Sequence, residues 1–155
     1  MSKALYTAEA HVTGGREHGH GRTSDGELEV RLRLPRELGG EGGGTNPEQL
    51  FAIGYAACFE AAMQFAAQRI KVPADKIADV AIHSKVMLIP APERALELGV
   101  ELAVELPSVE DPRQAAELVR VTHGMCPYSK ATRGNVGVAL SVNGVTLEME
   151  PEMAA

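Results

Sequence analysis

The stretch GYAACFEAAMQF, residues 54–65, lies inside a long segment whose residues are typical of a helix, with predicted strands before and after it. Asn46 is a typical N-cap residue, Pro47 suits the first helical position, and the segment KVPAD after Ile70 supplies a helix-ending proline. The pattern predicts one helix that begins at Pro47 and ends near Ile70. Its residues are nearly all apolar or small, which is typical of a helix buried on most sides at the centre of a domain.

Two strand patterns precede this helix. Residues 4–12 alternate loosely between apolar and polar residues, whereas residues 28–34 alternate cleanly, which predicts a strand with one buried face. Residues 14–27 between them are rich in glycine and polar residues and predict a loop, as do the glycine-rich residues 35–46. The predicted buried face of the second strand consists of Leu28, Val30, Leu32 and Leu34.

The sequence after the helix predicts two strands, two helices and a hairpin. Residues 80–90 and 99–107 are typical of strands, an amphipathic helix follows the cap residue Asp111, and a short helix opens at Cys126. Asn143-Gly144 suits the type I′ turn of a final hairpin. Strands at both ends of the chain with helices between them predict an α+β fold, in which antiparallel strands surround a long central helix.

Composition and charge restrict the class of protein. The 155 residues are 45% hydrophobic and carry a net charge of −6, which argues against nonspecific nucleic-acid binding. We find no signal peptide, and no apolar run approaches the roughly 20 residues of a membrane span. Repeats, linkers and low-complexity segments are also missing. We therefore expect residues 1–155 to form a single cytoplasmic domain that binds neither nucleic acid nor membrane.

Two cysteines are the candidate reactive groups. Cys58 lies deep in the long helix, where a lone thiol is usually an inert core residue, and a reactive thiolate there would need a cation from another element. Cys126 precedes Pro127 at the start of the short helix, where backbone N–H groups can stabilise a thiolate, although a cysteine can also cap a helix without reacting. The two thiols form a candidate redox pair, but their spacing does not show that they meet.

Other chemistries find little support in the sequence. His18-x-His20 lies in a loop and His123-x-x-Cys126 supplies only two ligands, whereas zinc sites use three or four protein ligands. The glycine-rich loop before the long helix lacks both common phosphate-binding patterns, and no G-x-S-x-G nucleophile motif is present. We expect neither a metal nor a bound cofactor.

Two motifs resemble one known family. PRELGGEGGGTNPEQLFAIGYAACFEAAM, residues 35–63, together with CPYSKATRGN, residues 126–135, closely resembles the organic hydroperoxide resistance proteins, thiol peroxidases of the family shared with osmotically inducible protein C. The GGR loop at residues 14–16 and the final Asn-Gly hairpin match in the same order, so the resemblance covers the whole chain. It implies an intertwined homodimer and a single hydroperoxide-reductase-like domain.

The resemblance also implies roles for four residues. Cys58 corresponds to the peroxidatic cysteine, which becomes a sulfenic acid, and Cys126 to the resolving cysteine, which then forms a disulfide with it. Arg16 corresponds to the arginine that activates the Cys58 thiolate, and Glu48 to the carboxylate that holds Arg16. The family implies that an external dithiol of the dihydrolipoamide type, carried as a lipoyl group by a partner protein, reduces the disulfide.

Several questions stay open at this level. Glu48 and Cys58 lie about 15 Å apart along one straight helix, too far for a single Arg16 to bridge. Either the helix bends near Gly54, or the site combines residues of two chains. The same cysteine pair would suit a redox sensor or another branch of the family, and an apolar-ligand-binding dimer would need no reactive cysteine. Four residues either line a pocket for an alkyl or aryl peroxide or belong to the core: Phe51, Tyr55, Phe59 and Met63.

Overall fold

The computed structural model describes residues 3–149. Its internal contacts divide the chain into two units, Met1–Leu50 and Phe51–Ala155. Each unit carries its own β-sheet, and the long helix begins in the first unit and continues into the second. The assignment of residues 1–155 to one domain stays a prediction.

The first unit contains a three-stranded antiparallel sheet in the order β1-β2-β3. The predicted strand at residues 4–12 is wrong over its first six residues, because β1 begins only at Ala10. β2 ends at Thr23 and the chain then turns, so the β1–β2 ladder begins at Ala10; next to it, the carbonyl of Glu9 accepts a hydrogen bond from the N–H of Ser24. Leu5 and Tyr6 are accordingly exposed. The elements are β1 (Ala10–Thr13), the one-turn helix α1 (Gly15–His18), β2 (Gly19–Thr23) and β3 (Glu29–Arg33).

Strand β2 lies inside the segment for which the sequence predicts a loop. Its buried positions are Gly19 and Gly21, so no apolar side chain marks the inner face of the strand. A Cβ atom on Gly19 would lie 1.9 Å from the carbonyl oxygen of Gly15, so no other residue fits there without rearrangement. The alternation in β3 is confirmed at Val30 and Leu32, whereas Leu28 precedes the strand and is exposed.

The predicted central helix is present as α2 (Pro47–Arg69). The side-chain oxygen of Asn46 accepts a hydrogen bond from the backbone N–H of Gln49 at 2.9 Å, which confirms Asn46 as the N-cap. Within the described residues α2 is buried along one face, so burial on most sides is not reached in a single chain. That buried face consists of Tyr55, Phe59, Ala62, Met63, Ala66 and Ala67.

The length and composition of α2 bear on the question of a membrane span. The helix has 23 residues and a mean hydropathy of 1.4 over its most apolar window, so by length and composition it is able to cross a membrane. The central helix of a globular domain meets the same criterion, so this observation is weak evidence for a membrane span.

The second unit contains a four-stranded sheet in the order β4-β5-β6-β7. β5 and β6 run parallel, which corrects the prediction of purely antiparallel strands. Two helices connect these strands, and a helical crossover returns the chain to the same end of the sheet. The elements after α2 are β4 (Ala81–Pro90), β5 (Leu96–Glu105), α3 (Pro112–Met125), α4 (Pro127–Thr132), β6 (Gly137–Val142) and β7 (Val145–Leu147), with short 3-10 turns at Ala74–Ile77 and Pro92–Arg94 and, in the first unit, at Arg36–Leu38.

The predicted elements of this unit are confirmed, with ends that differ by a few residues. Asp111 accepts a hydrogen bond from the N–H of Arg113 and caps α3. Asn143 and Gly144 both have positive φ angles, 47° and 80°, as a type I′ turn requires. The core forms between the buried face of α2, α3 and the inner face of the sheet, so the α+β class is confirmed.

Candidate active site

The two cysteines of the chain lie side by side. The thiol of Cys126 donates to the sulfur of Cys58, and the two sulfur atoms are 3.6 Å apart. Both are free thiols; Cys58 is half-buried on α2 and Cys126 is buried between α3 and α4. A disulfide bond needs a sulfur–sulfur distance of about 2.05 Å. A small movement of either side chain would therefore bring the two sulfur atoms to bonding distance once one of them has been oxidised.

Proline places Cys126 at this point of the fold. Cys126 ends α3 and begins α4, with an extended backbone at φ −61° and ψ 126°. A residue that precedes proline avoids the helical region, so Pro127 ends α3 at Cys126 and also provides the first residue of α4. The chain changes direction at Cys126, and the two helices meet at the resolving position that the family resemblance implies.

The N-terminus of α4 acts on Cys58. The backbone N–H of Tyr128, in the first turn of α4, donates to the Cys58 sulfur. The sequence did not predict a contact between this helix and Cys58, and the two alternatives for Cys126 stay open. Burial nevertheless dominates and raises the pKa of Cys58; the Tyr128 N–H lowers it and the neighbouring Cys126 raises it further. Within its own unit Cys58 therefore favours the neutral thiol.

Arg16 and Glu48 form a second pair, within residues 1–50. A guanidinium nitrogen of Arg16 lies 2.8 Å from a carboxylate oxygen of Glu48. Arg16 sits in α1, directly after Gly14 and Gly15, whose φ angles of 74° and 59° are readily adopted only by glycine. Glu48 occupies the first turn of α2, where a carboxylate suits the positive end of the helix. The contact expected between these residues is present, and their roles in catalysis stay predictions.

An apolar cavity of about 330 Å³ opens beside Cys58. Its walls come from α2 and from the junction of α3 with α4. Charged side chains do not line it, so it suits an apolar molecule. The lining residues are Cys58, Ala61, Ala62, Phe65, Met125 and Pro127.

The four aromatic and methionine residues proposed from sequence do not line this cavity. Tyr55, Phe59 and Met63 have no exposed surface and belong to the core, and Phe51 packs against that core. Helical spacing identifies better candidates, because Ala61, Ala62 and Phe65 follow Cys58 by three, four and seven positions and share its face of α2. Met125 and Pro127 flank Cys126 directly in the sequence.

Two charged residues close in sequence to the cysteines lie on the surface. Glu60, two residues after Cys58, and Lys130, in the CPYSK segment, are both exposed. Within residues 3–149, no three His, Cys, Asp or Glu side chains are close enough together to hold a metal ion.

Comparison with known proteins gives one consistent result. The family model described as OsmC-like protein matches residues 40–141. An organic hydroperoxide resistance protein from Xanthomonas axonopodis pv. citri is 48% identical over 143 residues, which cover 90% of this chain and 96% of that protein. The similarity therefore extends over almost the whole of both chains.

Solved structures agree with this match. A crystal structure of an organic hydroperoxide resistance protein from Legionella pneumophila has a TM-score of 0.83 and 51% identity, covering 90% of this chain and 98% of that one. A protein of the same description from Vibrio cholerae, solved with captopril bound in one of its active sites, has a TM-score of 0.84 and 40% identity, covering 94% and 96%. The α+β fold described above is the fold of these proteins.

Proposed function

We propose that this chain, which belongs to the OsmC-like protein family, is a cysteine-based peroxidase that reduces organic hydroperoxides to alcohols and protects against oxidative stress. Relatives named organic hydroperoxide resistance proteins align with it over about nine-tenths of its length, for example over 90% for the Xanthomonas protein. The observation that carries the proposal is the 3.6 Å separation of the Cys58 and Cys126 sulfur atoms. A peroxidase of this kind needs a second thiol within reach of the first.

The first step uses Cys58 and the cavity beside it. The Cys58 thiolate attacks the terminal oxygen of the hydroperoxide, a sulfur–oxygen bond forms and the oxygen–oxygen bond breaks. The alkoxide that leaves takes up a proton and departs as the alcohol, while Cys58 becomes a sulfenic acid. The apolar walls of the cavity would hold the alkyl or aryl group of the substrate, so hydrogen peroxide should be a poorer substrate.

The first step also requires a cation. Because burial raises the pKa of Cys58, little thiolate forms near neutral pH without a positive charge nearby. In our proposal the guanidinium of Arg16 supplies that charge and stabilises the negative charge that develops on the peroxide oxygens. Glu48 holds Arg16 in place through the 2.8 Å contact.

The cation and the thiol would come from two copies of the chain. Glu48 and Cys58 both belong to α2, and ten residues of straight helix would separate them by about 15 Å, so our proposal adopts the two-chain alternative. The exposed face of α2 carries an apolar stripe at four-residue spacing, formed by Ile53, Ala57, Ala61 and Phe65. A second copy would bury this stripe, so we propose a homodimer whose sites combine Arg16 and Glu48 of one chain with Cys58 and Cys126 of the other.

The second step closes the disulfide. The Cys126 thiol attacks the sulfur of the sulfenic acid, a sulfur–sulfur bond forms, and the hydroxyl group leaves as water with the thiol proton. An external dithiol then reduces the disulfide and becomes a disulfide itself. We propose a dihydrolipoamide-type dithiol, presented by a lipoylated protein of the cytoplasm, where such cycling thiols stay reduced.

Steady-state peroxide consumption tests this function. Reduced protein is mixed with dihydrolipoamide and either cumene hydroperoxide or hydrogen peroxide, and peroxide loss is followed. The proposal predicts repeated turnover with a higher kcat/KM for cumene hydroperoxide, and none with Cys58→Ser. A single oxidation event without turnover would instead support a redox sensor.

A further inference from the structure

A buried hydroxyl network lies behind the two thiols. The hydroxyl of Tyr55, on α2, donates to the side-chain oxygen of Ser129, on α4, at 3.0 Å. The same hydroxyl lies 3.3 Å from the side-chain oxygen of Thr132, one turn further along α4. Tyr55 and Ser129 have no exposed surface, and Thr132 is 5% exposed. The network therefore joins α2 to α4 without access to solvent.

The positions of these residues relate the network to the thiols. Tyr55 precedes Cys58 by three residues on α2, and Ser129 follows Cys126 by three residues on α4. The hydrogen bond thus ties the helical turn that carries Cys58 to the turn that begins at Cys126. The same turn of α4 carries the Tyr128 N–H that donates to the Cys58 sulfur.

Aromatic contacts also pack α4 against α2 beside this hydrogen bond. The Tyr128 ring lies 5.6 Å from the Tyr55 ring and 5.8 Å from the Phe51 ring, measured between centroids. Gly54 leaves room for this packing, since a Cβ atom there would lie 3.0 Å from the Tyr128 hydroxyl. These contacts provide packing. The Tyr55–Ser129 hydrogen bond also constrains the position of α4 on α2, because it forms only over a narrow range of distances and angles.

A phenylalanine at position 55 would provide similar packing without a polar group to satisfy. Burying the hydroxyl is unfavourable unless it is hydrogen-bonded, so the pair contributes little net stability and mainly a geometric constraint. Disulfide formation is sensitive to such a constraint, because sulfur must approach sulfur to about 2.05 Å along a specific direction. A misplacement of about 1 Å can slow a reaction by up to ~100-fold.

We propose that Tyr55 and Ser129 are positioning residues for the resolving step, holding Cys126 within reaction distance of the sulfenic acid on Cys58. This inference rests on the proposed peroxidase function. The pair touches neither the peroxide nor the reductant, and it acts through the placement of α4.

The test separates the two chemical steps in Tyr55→Phe and Ser129→Ala. Reduced protein is mixed with one equivalent of cumene hydroperoxide, and quenched samples are analysed by mass spectrometry for Cys58 sulfenic acid and for the Cys58–Cys126 disulfide. We expect peroxide to oxidise Cys58 within about threefold of the wild-type rate, and the disulfide to form about tenfold more slowly, as for the loss of one buried hydrogen bond. At excess peroxide the variants should accumulate Cys58 sulfinic acid.

Two controls separate positioning from a general loss of stability. Val142→Ala, on β6, removes core volume away from the thiols and should lower the Tm without changing the ratio of the two rates. The double variant Tyr55→Phe/Ser129→Ala should be no slower in disulfide formation than the slower single variant, because both changes remove the same hydrogen bond.

The outcomes distinguish the inference from the function on which it rests. Wild-type disulfide rates in both Tyr55→Phe and Ser129→Ala, or the same altered ratio in Val142→Ala, would overturn the positioning role. A wild-type protein in which cumene hydroperoxide oxidises Cys58 no faster than free cysteine would overturn the peroxidase function instead. If one variant does not fold, the other carries the test.

Discussion

The sulfur atoms of Cys58 and Cys126 lie 3.6 Å apart although 68 positions separate the two residues in the sequence. Cys58 is presented by α2, and Cys126 stands at the proline-directed break between α3 and α4. Two independently positioned elements thus bring two thiols into contact beside an apolar cavity. In the proposed mechanism each thiol has a distinct role, which substitution can separate.

Replacement of the resolving thiol should uncouple oxidation from turnover. In Cys126→Ser the first equivalent of peroxide still converts Cys58 to a sulfenic acid, but no disulfide forms and dihydrolipoamide does not sustain cycling. Further peroxide should then produce Cys58 sulfinic acid, visible as a mass increase of two oxygen atoms. Unchanged steady-state turnover in this variant would remove Cys126 from the mechanism, and Cys58→Ser serves as the inactive control.

Loss of Arg16 should shift the pH profile of the first step upward. Burial raises the pKa of Cys58, and in our proposal the guanidinium of Arg16 lowers it again by favouring the thiolate. In Arg16→Ala the lowering effect is gone, so the thiolate fraction at neutral pH falls and the rate of Cys58 oxidation recovers only as the pH rises. Iodoacetamide alkylation of Cys58 against pH measures this pKa. Arg33→Ala, on β3 of the same unit, is the matched control; equal profiles for Arg16→Ala and the wild type would contradict the activating role.

The wall of the cavity should affect large and small peroxides differently. Met125→Ala removes apolar contact area, so the KM for cumene hydroperoxide should rise about fivefold, equivalent to ~1 kcal/mol. Hydrogen peroxide is too small to use this wall, and its rate should change less than twofold. Met87→Ala, on β4, controls for the loss of a methionine elsewhere. A parallel loss of activity towards both peroxides would show that Met125 supports the fold and not the substrate.

A mixing experiment should reveal which chain supplies each residue. Arg16→Ala and Cys58→Ser are each expected to be poorly active as homodimers. If a site combines Arg16 of one chain with Cys58 of the other, a mixed dimer contains one intact site. Unfolding and refolding an equal mixture should then restore about a quarter of the wild-type activity, because half of the dimers are mixed.

Two other results would argue against that arrangement. No recovery on mixing, with mixed dimers detected by mass, would place Arg16 and Cys58 of each site in one chain. A monomeric wild-type protein in analytical ultracentrifugation would exclude the dimer altogether. Ile53→Glu places a charge in the apolar stripe of α2 and should weaken association in the same measurement.

Local signals in the sequence predicted much of the fold. Asn46 and Pro47 located the start of α2, Asp111 located the start of α3, and Asn143-Gly144 located the last turn, because each residue type satisfies a requirement of the backbone at its own position. β2 could not be predicted this way. Its inner positions are Gly19 and Gly21, and a strand without apolar side chains on its buried face has no alternation to detect.

The candidate site was predictable in its residues but not in its arrangement. The motifs identified Cys58 and Cys126, while the direction of the Tyr128 N–H towards Cys58 depends on how α4 packs on α2, which sequence spacing does not encode. The sequence left open whether Tyr55 and Phe59 line the pocket or belong to the core, since large apolar residues suit both; the structure places them in the core. The cavity is instead lined by the residues that follow Cys58 by three, four and seven positions, which share its face of the helix.

The most direct test of the account is the loss of thiols from fully reduced protein mixed with one equivalent of cumene hydroperoxide, followed over time beside free cysteine. The account predicts that both thiols disappear together, far faster than in free cysteine, and that the product is a Cys58–Cys126 disulfide. Thiols that disappear no faster than free cysteine would contradict it, and would leave the apolar cavity beside Cys58 as a ligand-binding site without peroxidase chemistry.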